Sequence, residues 1–170
     1  DYRRDDPPAP PGARARVARY MRTDHYQALA RGLQSLADVL MASGWRTRIV
    51  ADSNDLVDRN AAWRAGLGWY GKNTNLLVPG AGSWFVLGVV VTDAPLASSG
   101  PPAPDGCGSC TACLDGCPTG ALVAPGVLDA RRCIAWLVQA AEPIPVALRP
   151  AVGDRLYGCD LCQEVCPENR

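Results

Sequence analysis

From Thr23 onward, apolar side chains recur at three- and four-residue steps, at Tyr26, Leu29, Leu33, Leu36 and Leu40. That spacing predicts one buried face of an α-helix, with Thr23 or Asp24 as its N-cap and Gly44 as its C-terminal stop. Trp45–Ala51 then alternates apolar and polar residues and predicts a strand. A second helix is expected from about Leu56 to Ala65, closed by Gly66. Two further strands are expected at Asn75–Val78 and Ser83–Thr92, separated by the turn Pro79-Gly80-Ala81-Gly82. The second of these is apolar on both faces, as a central buried strand would be. Helices and strands alternate, so residues 16–96 read as an α/β unit. Residues 1–15, with Pro7, Pro8, Pro10 and Pro11 close together, read as an arm or linker, and residues 97–106 as a second linker.

Composition adds exclusions. The chain has 170 residues, 48% hydrophobic and 20% charged, enough to bury a core and unlike a disordered segment. Lys+Arg and Asp+Glu both number 17, which removes the overall basic field of a self-sufficient nucleic-acid binder. The longest apolar run, Trp84–Val91, is far short of the roughly 20 residues that span a bilayer. No charged-then-apolar leader opens the chain, so a cytoplasmic location away from membranes is expected. There is also no initiator Met, and the chain is expected to be a fragment or a shortened form.

The cysteines change the picture most. All eight lie between Cys107 and Cys166, and residues 1–106 contain none. A disulfide scaffold would spread its cysteines through a small secreted chain. The spacing here is Cys107-x2-Cys110-x2-Cys113-x3-Cys117-Pro118, then Cys133, then Cys159-x2-Cys162-x3-Cys166-Pro167. Closely spaced thiolates on one loop can hold three irons of a cubane, while the Cys before Pro reaches the other cluster. On that crossing pattern one 4Fe–4S cluster takes Cys107, Cys110, Cys113 and Cys166. The other takes Cys117, Cys159 and Cys162, with Cys133 as the thiol left to complete it. Zinc is the competing reading, since it also favours C-x2-C pairs, but this run is awkward for separate tetrahedral sites. Residues 107–170 therefore read as a bacterial-type dicluster ferredoxin-like α+β module. Two cubanes make an electron wire, and the long segment before them is expected to carry its terminus. The glycines Gly66, Gly68 and Gly71 do not form a dinucleotide fingerprint, because they follow a helix and precede a strand.

Four stretches together carry a resemblance: Ala65–Asn73, Gly80–Gly88, Cys107–Pro118 and Tyr157–Pro167. Their order and spacing, over roughly residues 16–170, resemble the epoxyqueuosine reductases. The resemblance implies that residues 16–96 are the C-terminal part of a cobalamin-binding α/β domain lying beside two 4Fe–4S clusters. It implies reductive removal of the epoxide oxygen of epoxyqueuosine at the tRNA wobble position, giving queuosine. It also implies, as partners, a tRNA carrying epoxyqueuosine, gripped mostly outside this chain, and an external donor such as flavodoxin or ferredoxin. A monomer is expected.

By matching the family's segments, Asp52 is the implied proton donor, with Arg59 seven residues after it. An expelled oxygen is a poor leaving group without a proton, and burial beside the corrin is expected to raise the acid's pKa. Residue chemistry alone reads Asp52 as a turn residue at a strand end. Lys72, Leu76, Leu87 and Ala135 are implied corrin contacts. Lys72 is the only lysine beside sixteen arginines, and its other reading is a solvated loop residue. The sole histidine, His25, reads as a surface or capping residue rather than a cobalt ligand. Trp63, Trp69, Trp84 and Trp136 read more readily as core than as corrin walls. Two other classes fit the clusters: a corrinoid reductase of small molecules, similar to the reductive dehalogenases, and a ferredoxin module binding no corrin.

Overall fold

Asp24 caps the first long helix, its carboxylate accepting the Gln27 amide at 2.8 Å. In the computed structural model, which describes Gly12 and residues 15–170, this follows a short strand, β1 (Arg16–Val17), and a 3-10 turn. The expected arm, residues 1–15, lies outside the described residues apart from Gly12 and Ala15. Helix α1 (His25–Ala42) ends where Gly44, at φ 88°, returns its amide to the Met41 carbonyl. Strand β2 (Thr47–Ala51), helix α2 (Asp58–Arg64) and the hairpin β3 (Trp69–Tyr70) and β4 (Leu76–Leu77) follow, then β5 (Gly88–Thr92).

β2 and β5 pair antiparallel, from Thr47 opposite Thr92 to Ala51 opposite Gly88. α1 lies on this ladder: a Cβ at Gly88 would stand 2.6 Å from Leu33 and 3.1 Å from Leu29. Only part of the apolar stripe is covered. Leu36, expected on the buried face, is 53% exposed, and Val39 is 66% exposed.

β5 corrects the expectation for Ser83–Thr92. It is half as long, half-buried, and paired with β2 alone among the described residues. The reason lies at its start, where the Ser83 amide donates to Asn169 at 2.6 Å and Trp84 is buried beside it. Those bonds hold residues 83–84 against the end of the chain and out of a ladder. Among the described residues the strands of 16–96 therefore pair in small two-stranded ladders, not in one continuous sheet.

The cysteine-rich part contains α3 (Ala112–Asp115), the hairpin β6 (Leu122–Ala124) and β7 (Val127–Leu128), and α4 (Ile134–Leu137). It ends with α5 (Arg149–Val152), β8 (Arg155–Tyr157) and α6 (Leu161–Glu164). β8 runs parallel to β1, with Arg16 opposite Arg155 and Val17 opposite Tyr157. The segment starting at residue 16 thus forms a two-stranded sheet with a strand of the cysteine-rich part, across the division expected at 97–106. Residues 97–106 carry no helix or strand.

The two parts also meet at a small core of Trp69, Leu77 and Cys166, with Cys107 packed on it. Gly68 is required there: a Cβ would fall 2.0 Å from the Leu77 carbonyl oxygen. Gly106 is required as well, because a Cβ would stand 2.5 Å from the Trp69 ring. Leu77 is 1% exposed. Leu77→Ala is expected to destabilise the chain by about 2–5 kcal/mol, a leucine cavity with little room to collapse. A lowered urea midpoint against the unsubstituted chain measures it, and an unchanged midpoint would remove this core from the account.

Candidate redox and cofactor site

The eight thiols gather around two cavities. Cys107, Cys110, Cys113 and Cys166 line one of about 110 Å³, together with Lys72, Asn73 and Leu77. Cys117, Cys133, Cys159 and Cys162 line the other, of about 210 Å³, together with Thr74, Asn75 and Ala135. All eight are unpaired, and Cys113 and Cys166 are buried. Local structure sets each group. Cys107 and Cys110 lie on the loop before α3 and Cys113 lies within it, while Cys166 follows α6. Cys133 caps α4, its carbonyl accepting the Trp136 and Leu137 amides. Each thiol set surrounds a space rather than a point. Among the described residues no group of three or more His, Cys, Asp or Glu side chains is placed to hold a single ion. A zinc would draw its sulfurs to about 2.3 Å, whereas a cubane spaces them around a box.

Burial pushes the Cys162 thiol up to about 12, and neighbouring Cys159 and Cys133 add to the rise. Burial likewise raises Cys113, Cys159 and Cys166. Cys117 is the exception. Burial opposes its ionisation, but bonds from Thr119 and the Ala121 and Leu122 amides outweigh that and hold it below the ordinary thiol value. Thiols raised by burial need a cation to ionise, and bound metal supplies the charge.

The β3–β4 turn, Gly71–Asn75, reaches from the first part of the chain to both thiol sets. Lys72 donates to the carbonyls of Gly108, at 2.6 Å, and Cys110, at 2.9 Å. The only lysine is thus neither a solvated loop residue nor on the largest cavity described below; it ties the β3–β4 turn to the first cysteine loop. Asn73 donates to the Cys162 carbonyl at 3.3 Å, and Asn75 to Cys162 Sγ at 3.9 Å. Trp69 Nε1 points at Cys107 Sγ, 3.5 Å away. Thr74 holds φ 66°, costly for a β-branched residue, and its carbonyl accepts Arg59 Nη1 at 2.8 Å. Sequence reasoning missed Asn73, Thr74 and Asn75. The polar run Lys72-Asn73-Thr74-Asn75 between two strands was the available signal, but it does not specify a target.

The third cavity is the largest of the three, about 330 Å³, and it adjoins the second thiol set through Asn75, Ala135 and Cys159. Leu76, Phe85, Val86, Leu87 and Ala135 give it an apolar wall. Tyr20, Tyr26, Arg59 and Gln163 give it polar ones. Of the expected contacts, Leu76, Leu87 and Ala135 line this cavity, and Lys72 does not. None of the four tryptophans named above lines it either; Trp69 and Trp84 are core. Asp160 also lines it, its carboxyl raised by burial although the Arg19 amide, at 2.7 Å, opposes the rise.

Asp52 stands apart. It follows β2 directly with φ 48°, is exposed, and does not line the cavity, so the expected burial is not present. A strand-end aspartate adopts this left-handed turn more readily than most residues, and the turn carries its side chain outward. Its charge is nevertheless felt at the cavity wall: burial first, and Asp52 second, raise the Tyr26 phenol.

Comparison with known proteins gives consistent matches. Residues 106–169 match the family described as the 4Fe-4S double cluster binding domain, which supports a ferredoxin-like iron–sulfur module in this part of the chain. The epoxyqueuosine reductase of Xanthomonas campestris is 45% identical over 163 residues, covering 94% of this chain and 46% of that protein. That of Escherichia coli is 42% identical over 91% of this chain and 41% of its own. The chain therefore spans less than half the length of these curated relatives. A crystal structure of an epoxyqueuosine reductase with an epoxyqueuosine-modified tRNA-Tyr stem loop aligns with TM-score 0.81 and 42% identity, over 92% of this chain and 40% of that one. Another, from Bacillus subtilis, has its catalytic aspartate loop swung out of the active site. It aligns with TM-score 0.79 and 41% identity, over 93% of this chain and 40% of that one. Among the described residues no helix is long and apolar enough to cross a membrane.

Proposed function

We propose that this chain, homologous to the epoxyqueuosine reductases over nearly its whole length, carries the redox core of such an enzyme, reducing epoxyqueuosine in tRNA to queuosine. The observation that carries the reading is the division of eight thiols, four and four, between two neighbouring cavities, the second adjoining a larger one. Cys107, Cys110, Cys113 and Cys166 would hold one 4Fe–4S cluster, and Cys117, Cys133, Cys159 and Cys162 the other. The chemistry fits: soft thiolates in buried and half-buried sets of four suit iron–sulfur clusters.

The third cavity fits one wall of a corrin. Leu76, Leu87 and Ala135 offer the apolar surface that a flat macrocycle lies on, and the surrounding amide and phenol groups suit its polar rim. A cavity of about 330 Å³ holds only part of a cobalamin, so the chain supplies one side of that site. When bound, the clusters supply single electrons and the cobalamin supplies a strongly reducing cobalt.

The chain's own residues would do the rest. Removing an epoxide oxygen as water consumes two electrons and two protons, leaving a carbon–carbon double bond. Asp52 would give a proton to the departing oxygen, swinging its exposed turn toward the Tyr26 side of the cavity. The lowered proton affinity of Cys117 favours its thiolate, the form that binds iron. A tRNA and an external donor such as flavodoxin or ferredoxin are the partners this reading requires, and it assigns the chain to the cytoplasm.

The test is anaerobic reconstitution with iron, sulfide and cobalamin, then metal counting on the desalted protein. About eight irons and one cobalt per chain are expected. Turnover is then assayed on an anticodon stem-loop carrying epoxyqueuosine. Zinc in place of iron would overturn the reading, and eight irons without cobalt would reduce it to an electron-transfer module.

A further inference from the structure

The β3–β4 hairpin does more than join the two parts of the chain. Its side chains supply one N–H donor to a thiol of each cavity. Trp69 Nε1 lies 3.5 Å from Cys107 Sγ, and Asn75 Nδ2 lies 3.9 Å from Cys162 Sγ. Neither contact is casual. Trp69 is 6% exposed, and its ring is clamped against Gly106, where no side chain would fit. The turn is fixed on both sides, by Lys72 on the Gly108 and Cys110 carbonyls and by Asn73 on the Cys162 carbonyl. Asn75 is fixed too: its backbone amide donates to Asn73 Oδ1, at 3.1 Å, and its carbonyl accepts the Gly71 amide, closing the turn. The strained Thr74 between them keeps its conformation under the Arg59 bond. Four long-range bonds thus hold a locally strained turn in place.

Adding an electron to a cluster adds negative charge that spreads onto its sulfurs. A fixed N–H aimed at a sulfur stabilises that charge and raises the reduction potential. The two donors come from one turn but meet separate thiol sets, so each acts on its own cluster.

We propose that the β3–β4 hairpin sets the reduction potentials of the two clusters separately, Trp69 through Cys107 and Asn75 through Cys162. This rests on the cluster assignment above. Trp69 and Asn75 are positioning residues for electron delivery, acting through the thiolates. Asn75 has a further claim, because it also lines the largest cavity, and its donor bond falls on the thiol set next to that cavity.

The test is a potentiometric titration of the anaerobically reconstituted chain, followed by electron paramagnetic resonance. Asn75→Leu is expected to keep the iron content and move one midpoint to more negative potential, leaving the other in place. Trp69→Phe is expected to move the other midpoint in the same direction. Full iron with neither midpoint moved, or with both moved together by either variant, would overturn the proposal. An unsubstituted chain that takes up no iron would instead overturn the cluster assignment. Where Trp69→Phe loses iron through misfolding, the unsubstituted protein decides. With 15N in its indole and asparagine amide groups, pulsed resonance on the reduced clusters is expected to show nitrogen coupling. Absence of that coupling overturns the proposal.

Discussion

Replacing Cys133 by alanine is expected to remove about four of the eight irons and to leave the other four in place. Cys133 is the thiol that belongs to neither closely spaced run, so its role separates the paired-cluster reading from any reading built on the runs alone. The substitution is well isolated. The backbone around Cys133 is held by its own amide on Ala130 and by Trp136 and Leu137 on its carbonyl, none of which involves the sulfur. Ile134, next in the chain, is buried and keeps α4 seated. The cavity would keep its shape and lose a quarter of its thiolates. A cubane held by three protein sulfurs has an iron open to solvent and is readily lost. The set at Cys107, Cys110, Cys113 and Cys166 shares no side chain with Cys133 and is expected to fill normally. Iron and sulfide counting measures the outcome, and turnover on the modified stem-loop is expected to fall at least about a hundredfold once one cluster is missing. Eight irons retained would remove Cys133 from the ligand set. No iron at all would mean that the two cavities fill as one unit.

The grouping of the thiols was readable because metal chemistry dictates local spacing: an x2 step places successive sulfurs around one space, and a Cys before Pro carries its sulfur elsewhere. The first helix was readable for a different reason, since its cap at Asp24, its stripe at Leu29 and Leu33 and its stop at Gly44 are all local signals. What was not readable depends on contacts far apart in the chain. Ser83–Leu87 has the apolarity of a strand, but Asn169, 86 residues later, takes the Ser83 amide and ends the ladder before it begins. Lys72 was conspicuous as the only lysine, yet its targets, the carbonyls of Gly108 and Cys110, carry no side-chain signature at all. Asn75 reaches Cys162 across 87 residues, and a polar turn residue says nothing of such a partner. The pairing of β1 with β8 is the same case at the scale of the fold: two residues of strand are too short for a pattern, and the partner lies at the other end of the described chain.

Asp52→Asn is expected to keep both clusters and any bound corrin while lowering turnover by about 10²–10⁴-fold, the usual span for losing a general acid. The fold has little to lose. Asp52 is exposed, and asparagine tolerates the left-handed φ of 48° at least as well as aspartate does. The side chain keeps its size and its polar oxygen, and loses only the proton it can give up. That isolates the chemical role from the structural one, which a truncation to alanine would not. Asp55 provides the comparison within the same turn: its carboxylate is engaged by Arg48, outside the cavity, so Asp55→Asn is expected to leave turnover within a few-fold of the parent. The geometry adds a second expectation. Because Asp52 lies just past β2 and outside the cavity wall, its turn has to move for the acid to reach the departing oxygen. A proline at Asn54, which would stiffen that turn, is expected to lower kcat while leaving iron and cobalt content unchanged. Full turnover in Asp52→Asn would dismiss Asp52 as the donor and move the search to the acids and phenols on the cavity wall, Asp160 and Tyr26 first.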